Sequence, residues 1–320
     1  MNWLITYMMS LMFSANGIRV NHIPHYRNSH GLQITIPSIQ PDSLTTIIPF
    51  TRAGNLIVVK GKADSTEGNF ILDTGAPNLV LNITYFREYT STRSDEEQSG
   101  VTGSGPQVVK TMIREFDLGR MKYSKMDADL ISLGHIENSK GIKILGLLGV
   151  ELFRQCEMII DFENMLIYLH RIGKKESNTY RSAFLSDTSS YSMIPLELMD
   201  NRIVITSFMG GRKLKFIMDS GAESNLLDSR LPDKIMDNVI ITGRVLLTGS
   251  GNKKVEALYG DFQNLEIGNQ KISTLPVVVA NLEKTCVSYN GCVDGMLGFD
   301  FLALHKIGFN FVTRKMYLWR

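Results

Sequence analysis

The sequence predicts an all-β protein made of two homologous halves, and three observations support this prediction. Two apolar, β-prone runs, at residues 70–76 and 216–222, each end with an aspartate, a hydroxyl residue, a glycine and an alanine. Further landmarks follow each run in the same order. Only segments of one or two helical turns interrupt the strand pattern in either half.

A constant offset relates the two halves. Asp73 and Asp219 lie 146 positions apart (219 − 73), and after a three-residue insertion in the second half the offset becomes 149. Self-similarity of this kind is the signature of an internal repeat. The matched segments are 48–49 and 194–195, 57–58 and 203–204, 102–105 and 248–251, 118–119 and 267–268, 147–149 and 296–298, and 168–169 and 317–318.

Each half passes through the same predicted elements. One strand precedes the run that carries the aspartate, another follows it, and a glycine-rich hairpin tip comes next. A further strand, a short helix and a closing hairpin complete the half. These are the strands 55–60 and 202–206, the strands 79–83 and 225–227, the tips 103–105 and 249–251, the strands 129–132 and 276–280, the helices 149–155 and 298–305, and the hairpins 158–169 and 307–319.

The repeats divide the chain into two predicted lobes, residues 48–169 and 194–320. The polar, weakly patterned stretch 170–193 between them is typical of a linker. The preceding lead-in, residues 18–47, is either a pro-segment or an added edge strand, and the sequence leaves both possibilities open.

Residues 1–17 are predicted to be a signal peptide. No charged side chain occurs in residues 1–18, and an apolar stretch of eleven residues, 3–13, precedes the small residues Ala15 and Gly17. This stretch is too short to span a bilayer and suits a signal-peptide core. Because no lysine or arginine precedes it, a buried or flexible N-terminal segment is the alternative. The prediction implies an exported protein, periplasmic or extracellular.

Composition and charge argue against several classes of function. Hydrophobic residues make up 43% and charged residues 21% of the chain, as in globular proteins, and the net charge is +2. This balance provides no strongly basic surface, so we expect no nucleic-acid partner, and no segment is long enough for a stable membrane span. The histidines His22, His25 and His30 are more typical of a mobile segment than of metal ligands, and we expect no metal site.

The three cysteines are consistent with export. Cys286 and Cys292 can close a short disulfide loop in an oxidising compartment. Cys156 lies in an apolar context and is predicted to be a small buried side chain.

The paired aspartates indicate a specific chemistry. Two homologous lobes related by an approximate two-fold axis would bring Asp73 and Asp219 together as facing carboxyl groups. Two such groups cannot both ionise cheaply, so they share one proton. One then acts as general base toward water while the other donates a proton to a carbonyl oxygen. This chemistry requires neither metal ion nor cofactor, and we expect none.

These residues resemble the active-site loops of the pepsin and retropepsin clan of aspartic proteases. The resemblance rests on the Asp-Thr/Ser-Gly-Ala segments 73–76 and 219–222, and on the segments 147–149 and 296–298, which are similar to the clan's second signature. It covers nearly all of residues 48–318. It implies two closed-barrel lobes with an active-site cleft between them.

The resemblance also implies a role for each matched residue. Asp73 and Asp219 would be the catalytic pair of an endopeptidase that acts on a peptide or protein substrate. The other matched residues would support the active-site loops (Thr74, Gly75, Ser220 and Gly221), form the second signature (Leu148, Gly149, Leu297 and Gly298), or close flaps over the substrate (Gly103, Ser104, Gly249 and Ser250). With both lobes in one chain, the expected state is a monomer that forms an internal pseudo-dimer.

Details of the loops are more similar to the retroviral branch than to pepsin. Ala76 and Ala222 stand where pepsin-like enzymes usually have Ser or Thr, so two hydroxyl donors to the carboxyl groups are absent. Their absence should raise the carboxyl pKa values and make the pH optimum less acidic than that of pepsin. The clan's acid four positions after each catalytic Asp is Pro77 or Glu223 here, and we expect its ion pair to be missing.

A catalytically inactive peptide-binding module on the same fold is the alternative function, because a fold alone does not determine activity. A degenerate copy would be expected to lose an aspartate or a glycine from one of the loops. Both loops keep these residues.

Overall fold

The computed structural model describes residues 12–13, 44–100, 103–177, 179–248, 254–288 and 291–320. Most of the predicted signal peptide and of the lead-in therefore lies outside the described residues, as do His22, His25 and His30. The described chain is all-β, as predicted, with short helices between the strands.

The strands of the first half are β1 (Met12–Phe13), β2 (Thr45–Ala53), β3 (Leu56–Ala63), β4 (Thr66–Leu72), β5 (Leu79–Asn82), β6 (Ser91–Gly100), β7 (Gly103–Leu118), β8 (Met121–Ile131), β9 (Gly146–Leu148), β10 (Cys156–Asp161) and β11 (Leu166–Arg171). Those of the second half are β12 (Tyr191–Met199), β13 (Arg202–Met209), β14 (Arg212–Met218), β15 (Asn225–Asp228), β16 (Val239–Thr248), β17 (Lys254–Ile267), β18 (Gln270–Ala280), β19 (Gly295–Leu297), β20 (Ile307–Asn310) and β21 (Lys315–Trp319). The helices are α1 (Ile83–Phe86), α2 (Gly134–Lys140), α3 (Asp233–Met236), α4 (Glu283–Ser288) and α5 (Phe299–Leu302), with 3-10 turns at Val150–Phe153 and Ala183–Leu185.

Each lobe contains a closed barrel of six strands. In the N-terminal lobe the hydrogen-bonded order is β3-β4-β9-β5-β8-β7, and β7 pairs back with β3. In the C-terminal lobe the order is β13-β14-β19-β15-β18-β17, and β17 pairs back with β13. The two orders correspond strand for strand, so the repeat seen in the sequence is a repeated barrel.

An antiparallel sheet shared by both lobes holds the barrels together. Its order is β2-β11-β10-β20-β21-β12, so β10 of the first half pairs with β20 of the second. At this central pair Met158 lies opposite Phe309, and Ile160 lies opposite Ile307. Every residue of β10 and β20 is buried, as is typical of strands covered on both faces.

The hydrophobic core is continuous from one lobe to the other. A single cluster of buried side chains includes Phe70 of the N-terminal barrel, Met158 and Phe309 of the shared sheet, and Phe216 of the C-terminal barrel. Complete burial of a large apolar side chain contributes about 1.5–3 kcal/mol to stability. The positions of the two barrels relative to each other are therefore fixed by core packing as well as by strand pairing.

The hairpin tips and short helices differ in detail from the sequence predictions. Gly103, which was predicted to lie at a hairpin tip, belongs to β7 and lies opposite Gly100 of β6, and residues 101–102 between them lie outside the described residues. The predicted helices after each second signature are shorter than expected, since the first is a 3-10 turn at Val150–Phe153 and the second is α5 at Phe299–Leu302. The helix α2 was not predicted, since only Ile136 of its seven residues is buried and no apolar periodicity marks it.

The ends of the lead-in and of the linker belong to strands. β2 begins at Thr45 and pairs with β11, so the last residues of the lead-in are structural. The short strand β1 lies within the predicted signal peptide, residues 1–17, and pairs with β16. Within the described ranges, no helix has the length and apolar character needed to cross a membrane.

Candidate active site

Strand pairing places the two aspartates at equivalent positions, each directly after a barrel strand. Asp73 follows β4, which runs parallel to β9, and Asp219 follows β14, which runs parallel to β19. The backbone amide of Asp73 donates to the carbonyl oxygen of Leu148 at 3.1 Å, and that of Asp219 donates to Leu297 at 2.9 Å. Leu148 and Leu297 of the predicted second signature therefore hold the start of each loop.

The glycines of the second signature lie directly against the loops. A Cβ atom on Gly149 would collide with the carbonyl oxygen of Asn78, and one on Gly298 would lie 2.6 Å from the carbonyl oxygen of Ala222. Both carbonyl oxygens are backbone atoms, so they cannot move aside without displacing a loop. The two positions therefore require glycine for close packing.

Hydroxyl groups join the two loops across the lobe boundary. Thr74 Oγ1 accepts a hydrogen bond from the Ser220 amide at 2.9 Å and donates to the Met218 carbonyl oxygen at 2.7 Å. Reciprocally, Ser220 Oγ accepts from the Thr74 amide at 3.0 Å and donates to the Leu72 carbonyl oxygen at 2.8 Å. Both side chains are buried. These four bonds fix the position of one loop relative to the other.

The loop glycines allow each aspartate to approach the opposite loop. A Cβ atom on Gly75 would lie 2.5 Å from the Asp219 carboxyl group, and a Cβ atom on Gly221 would lie 2.5 Å from Asp73 Oδ1. Real side chains never approach so closely, so any larger residue would displace a carboxyl group. The structure thus brings the predicted pair together, one carboxyl group from each lobe.

Backbone amides orient the inner oxygen of each carboxyl group. The donors to Oδ1 are Gly75 N at 3.0 Å and Ala76 N at 3.1 Å for Asp73, and Gly221 N at 2.8 Å and Ala222 N at 3.1 Å for Asp219. Among the described residues no donor reaches Asp73 Oδ2, although this oxygen is buried. A proton shared between the two carboxyl groups would satisfy it.

Burial makes ionisation of both carboxyl groups unfavourable. It raises the pKa of Asp73 well above the usual value, and neighbouring Asp219 raises it further through its charge and a hydrogen bond. Burial also raises the pKa of Asp219, although the Gly221 amide, the hydrogen bond with Asp73, the Ala222 amide and the Arg202 cation lower it in part. The pair is therefore suited to carry one proton and one negative charge.

Arg202 is a charged neighbour of this pair that the sequence analysis missed. Its side chain is fully buried, and its Nε donates to the Gly75 carbonyl oxygen at 3.0 Å, across the lobe boundary. The equivalent position in the N-terminal lobe, at the offset of 146, is Leu56. The sequence does contain a signal for this residue. Arg202 is a charged residue at the start of an apolar run, and the equivalent position of the other repeat is a leucine.

The expectation of a missing ion pair is wrong for the C-terminal loop. Glu223 Oε1 accepts from Lys140 Nζ at 2.6 Å, and both side chains are nearly buried. Glu223 Oε2 also accepts from the Asn55 amide at 3.1 Å. The cation comes from α2 of the opposite lobe, 83 positions away, so local sequence could not reveal it. At Pro77 the expectation holds, since proline has no charge.

The remaining predicted residues are only partly described. Gly103 and Ser104 lie in β7, opposite Gly100 and Ser99 of β6, and β6 approaches α4 of the other lobe. Gly249 and Ser250 lie outside the described residues. The predicted loop disulfide is present between Cys286 and Cys292, and Cys156 is a buried free thiol.

Two more acids lie near the loops, of which Asp129 is buried and Asp300 is half-buried. Burial raises the pKa of Asp129 to about 7, and Asn78 donates to its carboxyl group at 3.3 Å. Burial raises the pKa of Asp300 to about 6, the hydrogen bond with Ser224 opposing this effect. Across the described ranges, no three His, Cys, Asp or Glu side chains are grouped so that they could hold a metal ion.

Comparison with known families agrees with this geometry. A family model described as aspartyl protease matches residues 59–152 and 205–301, which together make up more than half of the chain. Each match includes one aspartate loop and one second-signature segment. The chain belongs to the aspartyl protease family, and the duplicated match fits a two-lobed, retropepsin-like protein. No curated protein matches the sequence.

Proposed function

We propose that the protein is an aspartic endopeptidase in which Asp73 and Asp219 activate a water molecule to hydrolyse peptide bonds. The observation that carries this proposal is that two buried carboxyl groups, one from each barrel, each lie against the glycine of the opposite loop and interact with one another through a hydrogen bond. Membership of the aspartyl protease family supports a peptidase. The paired loops supply the specific chemistry.

The proposed reaction uses the proton and the negative charge of the pair. The ionised carboxylate takes a proton from a water molecule as the water oxygen attacks the scissile carbonyl carbon. The protonated carboxyl group donates its proton to the carbonyl oxygen, which gives a neutral tetrahedral intermediate. When the intermediate breaks down, the carboxyl group that took the water proton donates it to the leaving nitrogen, and the other carboxylate takes a proton from one hydroxyl group of the intermediate. The C–N bond then breaks, and the pair again holds one proton.

The proposed substrate is an extended segment of a peptide or protein. The hairpin of β6 and β7 reaches toward the opposite lobe, and the β16–β17 hairpin is its counterpart in the other repeat. Hairpins in these positions can hold a peptide backbone as an added strand. Gly103, Ser104, Gly249 and Ser250 are the residues proposed to form these flaps.

We further propose that the pH optimum is less acidic than that of pepsin. Burial raises the pKa of both carboxyl groups. The methyl groups of Ala76 and Ala222 provide no hydroxyl donor to offset this effect, and each alanine contributes only its backbone amide to the aspartate of its own loop.

The test is cleavage of a peptide library between pH 3 and pH 8, with products identified by mass spectrometry. The parent chain is compared with Asp73→Asn and Asp219→Asn, in which the side chain keeps its size but cannot ionise. We expect each variant to lose activity by ~10³-fold or more, because the two carboxyl groups act as a unit. Asp127→Asn, at an exposed position of β8, is the matched control and should retain activity.

The outcomes separate the two candidate functions. A parent chain that binds peptides or a pepstatin-like transition-state mimic without cleaving any peptide would support the inactive binding module. Full activity in either Asp→Asn variant would leave the proposed mechanism without its pair. A parent optimum below about pH 3, on the scale of the pepsin pair, would contradict the proposed pH dependence.

We also propose that the protein is exported and monomeric. The Cys286–Cys292 disulfide supports an oxidising compartment, and the barrel in each half supports a single chain that supplies both lobes. N-terminal sequencing of the secreted protein and sedimentation analysis test these two proposals.

A further inference from the structure

The two halves differ at one buried position beside the aspartate pair. At the start of β3 the N-terminal lobe has Leu56, and at the start of β13 the C-terminal lobe has Arg202. Both side chains are fully buried. A buried guanidinium group on one side and an isobutyl group on the other make the environment of the pair unequal.

A tight turn brings Arg202 to this place. Met199 of β12 lies opposite Arg202 of β13, and the two residues between them, Asp200 and Asn201, have positive φ angles of 52° and 58°. Positive φ at both central positions is the geometry of a two-residue hairpin turn. Arg202 is therefore placed by a rigid element of the scaffold.

The guanidinium group is close to one carboxyl group of the pair. Its Nε donates to the carbonyl oxygen of Gly75, the glycine whose Cα faces the Asp219 carboxyl group. Only one residue thus separates the two charges, in a buried region where electrostatic interactions are strong. The pKa directions agree, since the Arg202 cation lowers the pKa of Asp219, whereas the negative charge of Asp219 raises the pKa of Asp73.

We propose that Arg202 is a positioning residue that holds the shared proton on Asp73 and keeps Asp219 ionised as the general base. This inference rests on the proposed function and assigns the two roles within it. Asp219 takes the proton of the attacking water, and Asp73 gives its proton to the carbonyl oxygen of the scissile bond. If position 202 were occupied by leucine, as the equivalent position 56 is, this cation would be absent and the two roles would be reversed or shared between the aspartates.

Other charged groups near the loops are paired or lie further along them. Asp200 Oδ2 lies 3.4 Å from a terminal nitrogen of Arg202, and the Asp200 side chain is 25% exposed. The remaining neighbours are Glu223 with Lys140, Asp300 beside Ser224, Glu151 with Arg154, and Asp129 beside Asn78. Among the cations named here, Arg202 is the one whose charge lowers the pKa of Asp219.

The experiment combines pH–rate profiles with carbon NMR of the full-length protein labelled at the aspartate carboxyl carbons. Asp73→Asn and Asp219→Asn assign the two signals. In the parent we expect Asp219 to ionise at lower pH than Asp73. In Arg202→Leu, which copies the residue of the other lobe, ionisation of Asp219 and the acidic limb of kcat/KM should move up by ~1 pH unit or more.

Two further variants distinguish an electrostatic role from a purely structural one. Arg202→Lys keeps the positive charge, so the ionisation of Asp219 and the acidic limb should stay close to their positions in the parent, even if kcat/KM at the optimum falls. Asp200→Asn removes the partner of the cation and should move the acidic limb down by ~0.3 pH units or more. Asparagine tolerates the positive φ of this turn position. Lys122→Met, at an exposed lysine, controls for net charge and should leave the profile unchanged.

The outcomes distinguish this inference from the proposed function. Absence of cleavage by the parent would overturn the proposed function, while the NMR titration would still show which carboxyl group ionises first. An active parent in which Asp73 ionises first, or in which Arg202→Leu does not move the titration of Asp219, would overturn the role of Arg202. If Arg202→Leu does not fold, an unchanged titration in Asp200→Asn would overturn it.

Discussion

At the scale of single residues, the hydroxyl groups of Thr74 and Ser220 form hydrogen bonds that join the two aspartate loops. Thr74 Oγ1 serves at once as acceptor for the Ser220 amide and as donor to the Met218 carbonyl oxygen. Both partners are buried in the lobe interface, where water cannot take over either bond. An unpaired buried donor or acceptor costs about 1–3 kcal/mol.

Thr74→Ala should therefore destabilise the folded protein by about 2–4 kcal/mol, because it leaves one buried donor and one buried acceptor unpaired. Thr74→Ser is the matched control. It keeps the hydroxyl group, as Ser220 does at the equivalent place, and should cost about 1 kcal/mol for the lost methyl group. Urea unfolding monitored by circular dichroism gives both values. Equal stability of the two variants would show that the hydroxyl bonds contribute nothing.

Asp129 provides a pH-dependent effect that is separate from catalysis. Burial raises its pKa from 3.8 to about 7, so the folded state binds a proton more tightly than the unfolded state. The stability from this group is complete below the unfolded value and is lost as the pH rises toward 7. The ionised form then remains as a buried charge with one amide donor, Asn78.

Asp129→Asn should remove this loss, since asparagine cannot ionise. We expect the free energy of unfolding of the variant to equal that of the parent near pH 4. At pH 8 it should be higher than that of the parent by about 2–4 kcal/mol. Asp127→Asn on the same strand changes an exposed carboxyl group and should show no such difference. A constant offset between Asp129→Asn and the parent at all pH values would contradict the prediction.

At the scale of elements, local sequence was sufficient wherever residues act through their own strand or loop. The runs ending at Asp73 and Asp219 predicted the acid-bearing strands, and the repeat predicted that the two halves contain matching strands in the same order along the chain. The helix α2 escaped prediction because its residues form no apolar stripe and only Ile136 among them is buried.

Sequence patterns could not predict the contacts between the two lobes. The Lys140–Glu223 ion pair and the Arg202–Gly75 hydrogen bond join residues separated by 83 and 127 positions. Their geometry depends on how two barrels meet, which neither repeat encodes alone. The unequal residues at repeated positions, Arg202 against Leu56 and Glu223 against Pro77, were nevertheless visible in the sequence as breaks in the duplication.

At the scale of the whole molecule, the duplicated barrels form one structural unit. The shared sheet pairs β10 of the first half with β20 of the second, and Asn310 donates to Glu157 at 2.9 Å within this pair. The continuous core and the loop hydroxyls add further contacts between the lobes. Separation of the lobes would expose these strand edges and the buried aspartates together.

We therefore predict a single cooperative unfolding transition for both lobes, and two equivalent substitutions test it. Ile57 and Ile203 are related by the repeat, are fully buried, and belong to the continuous core. Each change to alanine should cost about 2–5 kcal/mol, which corresponds to a lower Tm by roughly 5–15 °C. In a single unit, Ile57→Ala and Ile203→Ala each shift the same calorimetric peak without splitting it. If the lobes were independent, each variant would move a different transition and leave the other at the parent temperature.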